Sequence, residues 1–486
     1  MLDVRLTDRI PKADALAVPV RASDVDGVAA GHGAETLPAD VAAFLTDTGA
    51  DGAAGTVDVL PLPGATPPVA YLVGVGEAGP DQLRRAGAAA VRAATGAAEH
   101  GLRHLAVTLG HGAEPAAVRG LVEGLHLGSY RYSLKSKAAK SLRRVTVVVD
   151  DPEQHADALA RGLVAGRATC AARDLINTPS LQKSPAWLAG QAERWLSSLG
   201  VAVRIRGEDE LAAEGFNGVL AVGGGSDRPP RLIEARWAPR GARGPRVVLV
   251  GKGITFDTGG VSIKTAEGMM QMKTDMAGGA AVLGALAAAA ELRLPLRVTA
   301  LVPAAENALS GSSYRPSDVI RQYGGRTTEV RNTDAEGRVV LADALAYAAA
   351  RLRPDLLVDV ATLTGAIRIS LGTGTGGLFA SDDALADGLL AAAEDAGEKL
   401  WRLPLLADCE DLVGSDVADG NNASGSPGAV TAALFLRPFT GGVPWAHLDI
   451  AGAARAAADN AEVSRGGTGF GVRLLLRWLE SLAAAA

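Results

Sequence analysis

Asn332-Thr333-Asp334-Ala335-Glu336-Gly337-Arg338 sets two carboxylates and a guanidinium within seven residues, just ahead of an apolar helical segment. Some eighty residues earlier, Gly251-Lys252-Gly253-Ile254-Thr255-Phe256-Asp257-Thr258-Gly259-Gly260 follows an apolar run and leads into Lys264 and then Met272-Lys273-Thr274-Asp275. Asp257, Asp275, Asp334 and Glu336 could share one pocket with Lys252 and Lys264. Acids that close repel one another and resist ionising together unless cations stand between them. Two divalent ions would cancel that charge, so the pattern reads as a two-metal hydrolytic site.

These groups need a scaffold that brings distant loops together. Short apolar runs alternate with helical patterns along the whole chain, which predicts an α/β fold. Ala15–Val20, Ala70–Val75, His104–Leu109 and Val145–Val149 read as strands of a smaller N-terminal α/β domain at 1–150, with helices at Asp81–Ala98 and Pro115–Leu127. A joining helix is expected within 151–176, ending where Asn177-Thr178-Pro179-Ser180 brings in proline. A larger C-terminal α/β domain at 177–486 is expected to hold a central mixed sheet flanked by helices. Its strands read as Ala202–Ile205, Val247–Val250, Leu296–Val302, Leu356–Val360 and Trp445–Ile450, and its helices as Ala277–Leu292, Val339–Arg351 and Phe470–Leu482. Gly372-Thr373-Gly374-Thr375-Gly376-Gly377 reads as a close-approach loop.

In an open α/β sheet, ligands gather beyond the carboxyl ends of the strands, where Lys252 and Asp257 are expected. Asp275 and Glu336 stand just ahead of helical segments, whose N-termini favour anions. All four acids are expected on loops or helix starts. His447 is the one histidine of the second half, since the other six lie at or before His155. A histidine-rich zinc site is therefore ruled out there. Oxygen donors suit Mn²⁺ and Mg²⁺, and zinc also takes carboxylates.

Composition bounds the rest. A chain of 486 residues is too long for one ordinary core. Acids outnumber bases 54 to 48, for a net charge of −6, which argues against a broad basic nucleic-acid surface. Cys170 and Cys409 are the only cysteines, which suits a reducing compartment. Charges interrupt the first residues, so no signal-peptide core is present, and the uncharged stretch Met276–Ala290 is too short to span a bilayer. Cytoplasmic residence is the expectation. Two other readings fail on motif. Gly251-Lys252-Gly253 invites a nucleotide-binding fold, but Phe256 stands where its third glycine belongs and no P-loop occurs. No Gly-x-Ser-x-Gly elbow marks a serine hydrolase.

The blocks quoted above, with Ala361-Thr362-Leu363-Thr364-Gly365, His447-Leu448-Asp449-Ile450-Ala451-Gly452 and Thr468-Gly469-Phe470-Gly471, resemble the leucyl (cytosol) aminopeptidases. The resemblance runs from about Asn177 to the C-terminus. It implies a metal-dependent exopeptidase that releases leucine and other apolar residues from peptides with a free N-terminus. One metal would use Asp257, Asp334 and Glu336, the other Lys252, Asp257, Asp275 and Glu336. It implies Lys264 and Arg338 as catalytic, the latter holding bicarbonate. Lys252, Asp257, Lys264 and Asp275 would also meet substrate, with Met272, Thr362, Leu363 and Gly365 as the wall for its first side chain. It further implies a homohexamer. Some relatives double as DNA-binding regulators, a role the net acidity speaks against. No role in the reaction is implied for Lys273, and His447 is expected to make a structural hydrogen bond near the site.

Overall fold

The computed structural model describes residues 2–23, 27–137, 140–460 and 462–486. The chain divides into two compact units, one of residues 1–170 with 457–465, the other of residues 171–456 with 466–486. Among the described residues, no helix is long and apolar enough to cross a membrane.

The first unit holds a seven-stranded sheet. Its strands run in the order Asp3–Thr7, Arg144–Val148, His104–Thr108, Ala15–Ser23, Val69–Gly74 and Val57–Pro61, with Gly27–Ala30 paired to Ala15–Ser23. All neighbours along that path are parallel except Val57–Pro61. The helices Pro80–Gly96 and Pro115–Ser129 bury their small and aliphatic faces over it, with Ala86, Ala90, Leu121 and Leu125 in the core.

The second unit is built on a nine-stranded mixed sheet. Across it run Lys399–Arg402, Thr375–Ala380, Trp445–Asp449, Leu356–Ala361, Arg246–Gly251, Arg297–Asn307, Arg231–Trp237 and Ala202–Arg206. The central strands are parallel, so their carboxyl ends share one edge, and the outer pairings include antiparallel ones. The ninth strand, Gly253–Asp257, was expected to be loop. At Lys252 the chain stops following two neighbours: the Lys252 carbonyl accepts from Gly279 N (2.8 Å), and the chain continues along Arg297–Asn307 alone. The pairing Val250↔Leu301 resumes as Gly253↔Ala304, so Pro303 stands opposite the interruption, where its missing N–H costs no ladder bond.

Helix Ala277–Glu291 lies against these central strands and is buried nearly all round. Small residues let it approach closely. A Cβ on Gly278 would stand 1.9 Å from the Val360 carbonyl oxygen, so only glycine fits there. Gly376 and Gly377 do approach their neighbours closely, but from within the strand Thr375–Ala380. Helix Glu336–Tyr347 covers the same core, which gathers Val339, Leu341, Leu345, Phe379 and Trp445. It begins at Glu336, three residues before the expected start, because Glu336 and Arg338 already have helical backbone.

Candidate active site

Where the central strands end, Lys252, Asp257, Lys264, Met272, Asp275, Asp334, Glu336, Arg338, Thr362, Leu363 and Gly365 line one cavity of about 510 Å³, whereas Lys273 and His447 lie outside its lining. Lys252 occupies the strand interruption and Asp257 closes the strand that follows, so Asp257 belongs to the sheet edge rather than to a loop. Asp275 follows a single 3₁₀ turn, Met272–Thr274, ahead of the buried helix. Asp334 sits on a loop and Glu336 opens its helix.

The acids converge. Oxygens of Asp257, Asp334 and Glu336 lie within 4.8 Å of one another. Lys252 Nζ stands 2.9 Å from Asp275 and 2.7 Å from Glu336, while Lys264 Nζ stands 2.7 Å from Asp257 and also touches Asp334. Burial disfavours the ammonium of Lys252, but Asp275, Glu336 and Asp257 outweigh it and raise its pKa. Lys264 is raised in the same way, by Asp257 and Glu336 against burial. Burial raises Asp257, Asp275 and Asp334, and the neighbouring acids add to the effect. Asp275 Oδ2, Asp334 Oδ1 and Glu336 Oε1 are buried and accept no well-formed hydrogen bond, so the lysines are their cationic company. Hard oxygen donors packed this tightly suit divalent ions.

Hydrogen bonds from outside the cavity fix these groups. Asp257 Oδ1 accepts from Gly259 N and Asn307 Nδ2, each at 2.8 Å. Gly259 has φ +88°, a conformation that lets the loop fold back and deliver Lys264. Asn307 Nδ2 also donates to Thr333 O (3.0 Å), as does Tyr314 OH (2.7 Å), which holds the Asp334 loop in place. Asn422 adds to that hold, accepting from Arg331 N and donating to Asn332 O.

Asp449 clasps the opposite wall. It accepts from Leu363 N (3.1 Å), Thr364 N (3.0 Å), Thr364 Oγ1 (2.7 Å) and Ala451 N (3.2 Å). The clasped loop presents Thr362 O to Lys252 Nζ (2.9 Å) and Thr362 Oγ1 to Asp275 Oδ1 (2.8 Å). Asp449 thus orients the loop that orients the lysine. Asp449→Ala strands buried N–H groups and is expected to cost roughly 3–5 kcal/mol of stability, with weaker metal retention. Melting curves taken with and without chelator check this; a chelated variant as stable as the wild type would remove the clasp.

The neighbouring His447 makes the expected structural contact. Its Nδ1 lies 2.6 Å from Asp359 Oδ1, and Trp445 Nε1 donates to Asp359 Oδ2 at 2.7 Å. Burial works against the imidazolium, but Asp359 more than offsets it. Lys273 points away from the acids and donates to Asn177 O (2.7 Å), while the fully buried Lys183 ties Leu175 O, Ile176 O and Lys273 O together. Burial and then Lys273 push the Lys183 ammonium well below the usual lysine range. Arg338 is buried, its Nε makes no hydrogen bond among the described residues, and burial lowers its pKa to about 10. Gly365 stands in the cavity wall with nothing within 4 Å of where a Cβ would be.

The roles of Asn307, Asn422, Tyr314 and Asp449 were not read from the sequence. Asp449 carried a usable signal, since it is a polar residue at the carboxyl end of an expected central strand. Asn307 did not, because Pro303 makes its strand read as ending at Val302.

Comparisons with known proteins agree in direction. The model described as the cytosol aminopeptidase family, catalytic domain, matches residues 170–476, and that of the family's N-terminal domain matches residues 18–140. A probable cytosol aminopeptidase of Roseiflexus castenholzii is 48% identical over 368 residues, which cover 74% of this chain and 75% of the relative. The solved structure of the bottromycin maturation enzyme BotP in complex with Mn is 41% identical, with a TM-score of 0.86, covering 97% of this chain and 100% of that one. A mutant of tomato leucine aminopeptidase is 30% identical, with a TM-score of 0.87, covering 99% of this chain and 96% of that one.

Proposed function

Because this chain belongs to the cytosol aminopeptidase family, it is a metal-dependent aminopeptidase, and we propose how its residues divide that work. Asp257, Asp334 and Glu336 would hold one divalent ion. Lys252, as the neutral amine that an adjacent divalent ion would enforce, would hold the second together with Asp257, Asp275 and Glu336, so that Asp257 and Glu336 are shared. The observation that carries this division is the meeting of three carboxylates within 4.8 Å, flanked by two lysines already in the place of cations. Bound there, the ions would supply Lewis acidity and a hydroxide-like nucleophile near neutral pH. Mn²⁺ or Zn²⁺ is our reading of the resident metal, with Mg²⁺ compatible; the manganese in BotP and the oxygen-rich donor set support it.

Lys264 reaches the acids from the cavity side and, as an ammonium, donates to the carbonyl oxygen as negative charge develops on it. Arg338 brings a buried guanidinium whose Nε–H is unpaired among the described residues, suited to holding a small anion such as bicarbonate. The side chain of the first residue lies along Met272, Thr362, Leu363 and Gly365. The acidic floor, with Lys252, Asp257, Lys264 and Asp275 close to substrate, selects peptides that offer a free α-amine. We further propose a 177–486 catalytic domain preceded by a 1–150 domain and a 151–176 joining helix. Cytoplasmic residence and assembly as a homohexamer also belong to this reading, which rests on family resemblance.

The test compares leucyl-p-nitroanilide with its N-acetylated form, with and without chelator and added Mn²⁺. Hydrolysis of the free amine alone, abolished by chelator and restored by Mn²⁺, is expected. Equal cleavage of the acetylated substrate would overturn the exopeptidase assignment.

A further inference from the structure

We propose that this cavity takes peptides with an acidic N-terminal residue, glutamate above all, through Arg368 and Arg455, alongside the apolar ones. The proposal rests on the wall assignment given above.

Among the described residues, the acids lining the cavity are Asp257, Asp275, Asp334 and Glu336, and each is paired to Lys252 or Lys264 on the floor. The other charged lining residues are Arg338, Arg368 and Arg455. The floor keeps a net negative charge, and beyond it the charged groups of the lining are these three arginines alone, among the described residues. Arg368 stands three residues beyond Gly365 on helix Gly365–Leu371, a spacing that puts both on one face. Arg455 stands four residues beyond Ala451, another wall residue, and opens the short strand Arg455–Ala456 that pairs with Gly466–Gly467. Both arginines thus line the cavity that holds the surface assigned to the first side chain. Arg368 is exposed and has no carboxylate within 4.0 Å among the described residues, whereas Arg455 is half-buried. The charge of Arg455 is felt nearby: after burial, it is the influence that lowers the Lys273 ammonium.

Shape allows the same wall to serve both classes. Aspartate matches leucine out to Cγ and its two branches, and glutamate is one methylene longer. The apolar stem of glutamate can follow the path of leucine and carry its carboxylate toward the guanidiniums, whose own stems remain apolar. Glutamine has the same shape without the charge, which makes it the control.

The experiment measures kcat/KM for glutamyl-, glutaminyl- and leucyl-p-nitroanilide on the metal-loaded protein. The wild type is expected to prefer glutamyl to glutaminyl, and to lose that preference in about 1 M salt, where the screening length falls to about 3 Å. Arg368→Met and Arg455→Met should each lower the glutamyl-to-glutaminyl ratio about fivefold, while the two lysine replacements retain most of it. A wild type that favours glutaminyl, or a ratio unmoved by salt and by both methionine variants, overturns the proposal. Failure to cleave any of the three substrates, leucyl included, would instead overturn the peptidase reading beneath it.

Discussion

Asp257→Ala is expected to strip metal from both positions and to all but abolish peptide hydrolysis. The residue sits at the centre of the cluster, with Oδ2 against Lys264 and Oδ1 receiving Gly259 N and Asn307 Nδ2. Losing an outer hydrogen-bond partner of a metal ligand costs roughly 10- to 100-fold in affinity or activity, and loss of a shared ligand should exceed that at both ions. Folding suffers only moderately. The substitution relieves crowding among acids that burial and mutual repulsion already hold above their usual pKa range, but it strands Gly259 N and one of the two bonds of Asn307 Nδ2, both buried. The chelated variant is therefore expected to be less stable than the chelated wild type by about 1–3 kcal/mol. Elemental analysis that finds two full equivalents of metal in Asp257→Ala would refute the bridging assignment.

Lys264→Ala is the complementary case, with metal kept and turnover lost. Lys264 does not belong to the proposed ligand set, yet it reaches both Asp257 and Asp334 from the cavity side. Removing one preorganised donor to a developing oxyanion typically lowers kcat by about 10²–10³-fold, with a smaller effect on KM. Metal content should stay near that of the wild type. Hydrolysis of leucyl-p-nitroanilide at the wild-type rate would show that the ammonium does something else.

The chemistry was more legible in the sequence than the scaffold was. Asp334 and Glu336 stand out because a helix start explains their place and nothing but cations explains their company. Lys252 and Asp257 follow an apolar strand, and parallel pairing of Arg246–Gly251 with Leu356–Ala361 brings both strand ends to one edge, within reach of Thr362. Three of the outer strands were hidden for ordinary reasons. Arg231–Trp237 and Lys399–Arg402 carry charges that blur alternation, and Thr375–Ala380 has two glycines directly after its first residue, which argue against a strand. What fixes Thr375–Ala380 is its neighbours: Gly376 lies under Leu400 and Phe470, where a Cβ would have contacts of 3.0–3.4 Å. The Asp449 clasp was hidden for another reason. Its partners include backbone N–H groups some eighty-five residues away, and no residue type announces that a main-chain donor needs an acceptor.

Gly365 shows how such a protein could be retargeted. Its neighbours leave open space where a side chain would begin, and it borders the wall and not the acids. An alanine, serine or valine planted there would narrow the berth for bulky first residues while every group that does the chemistry stayed put. Diet and reactivity are thus written on separate stretches of chain, so that one could drift over generations as the other held still.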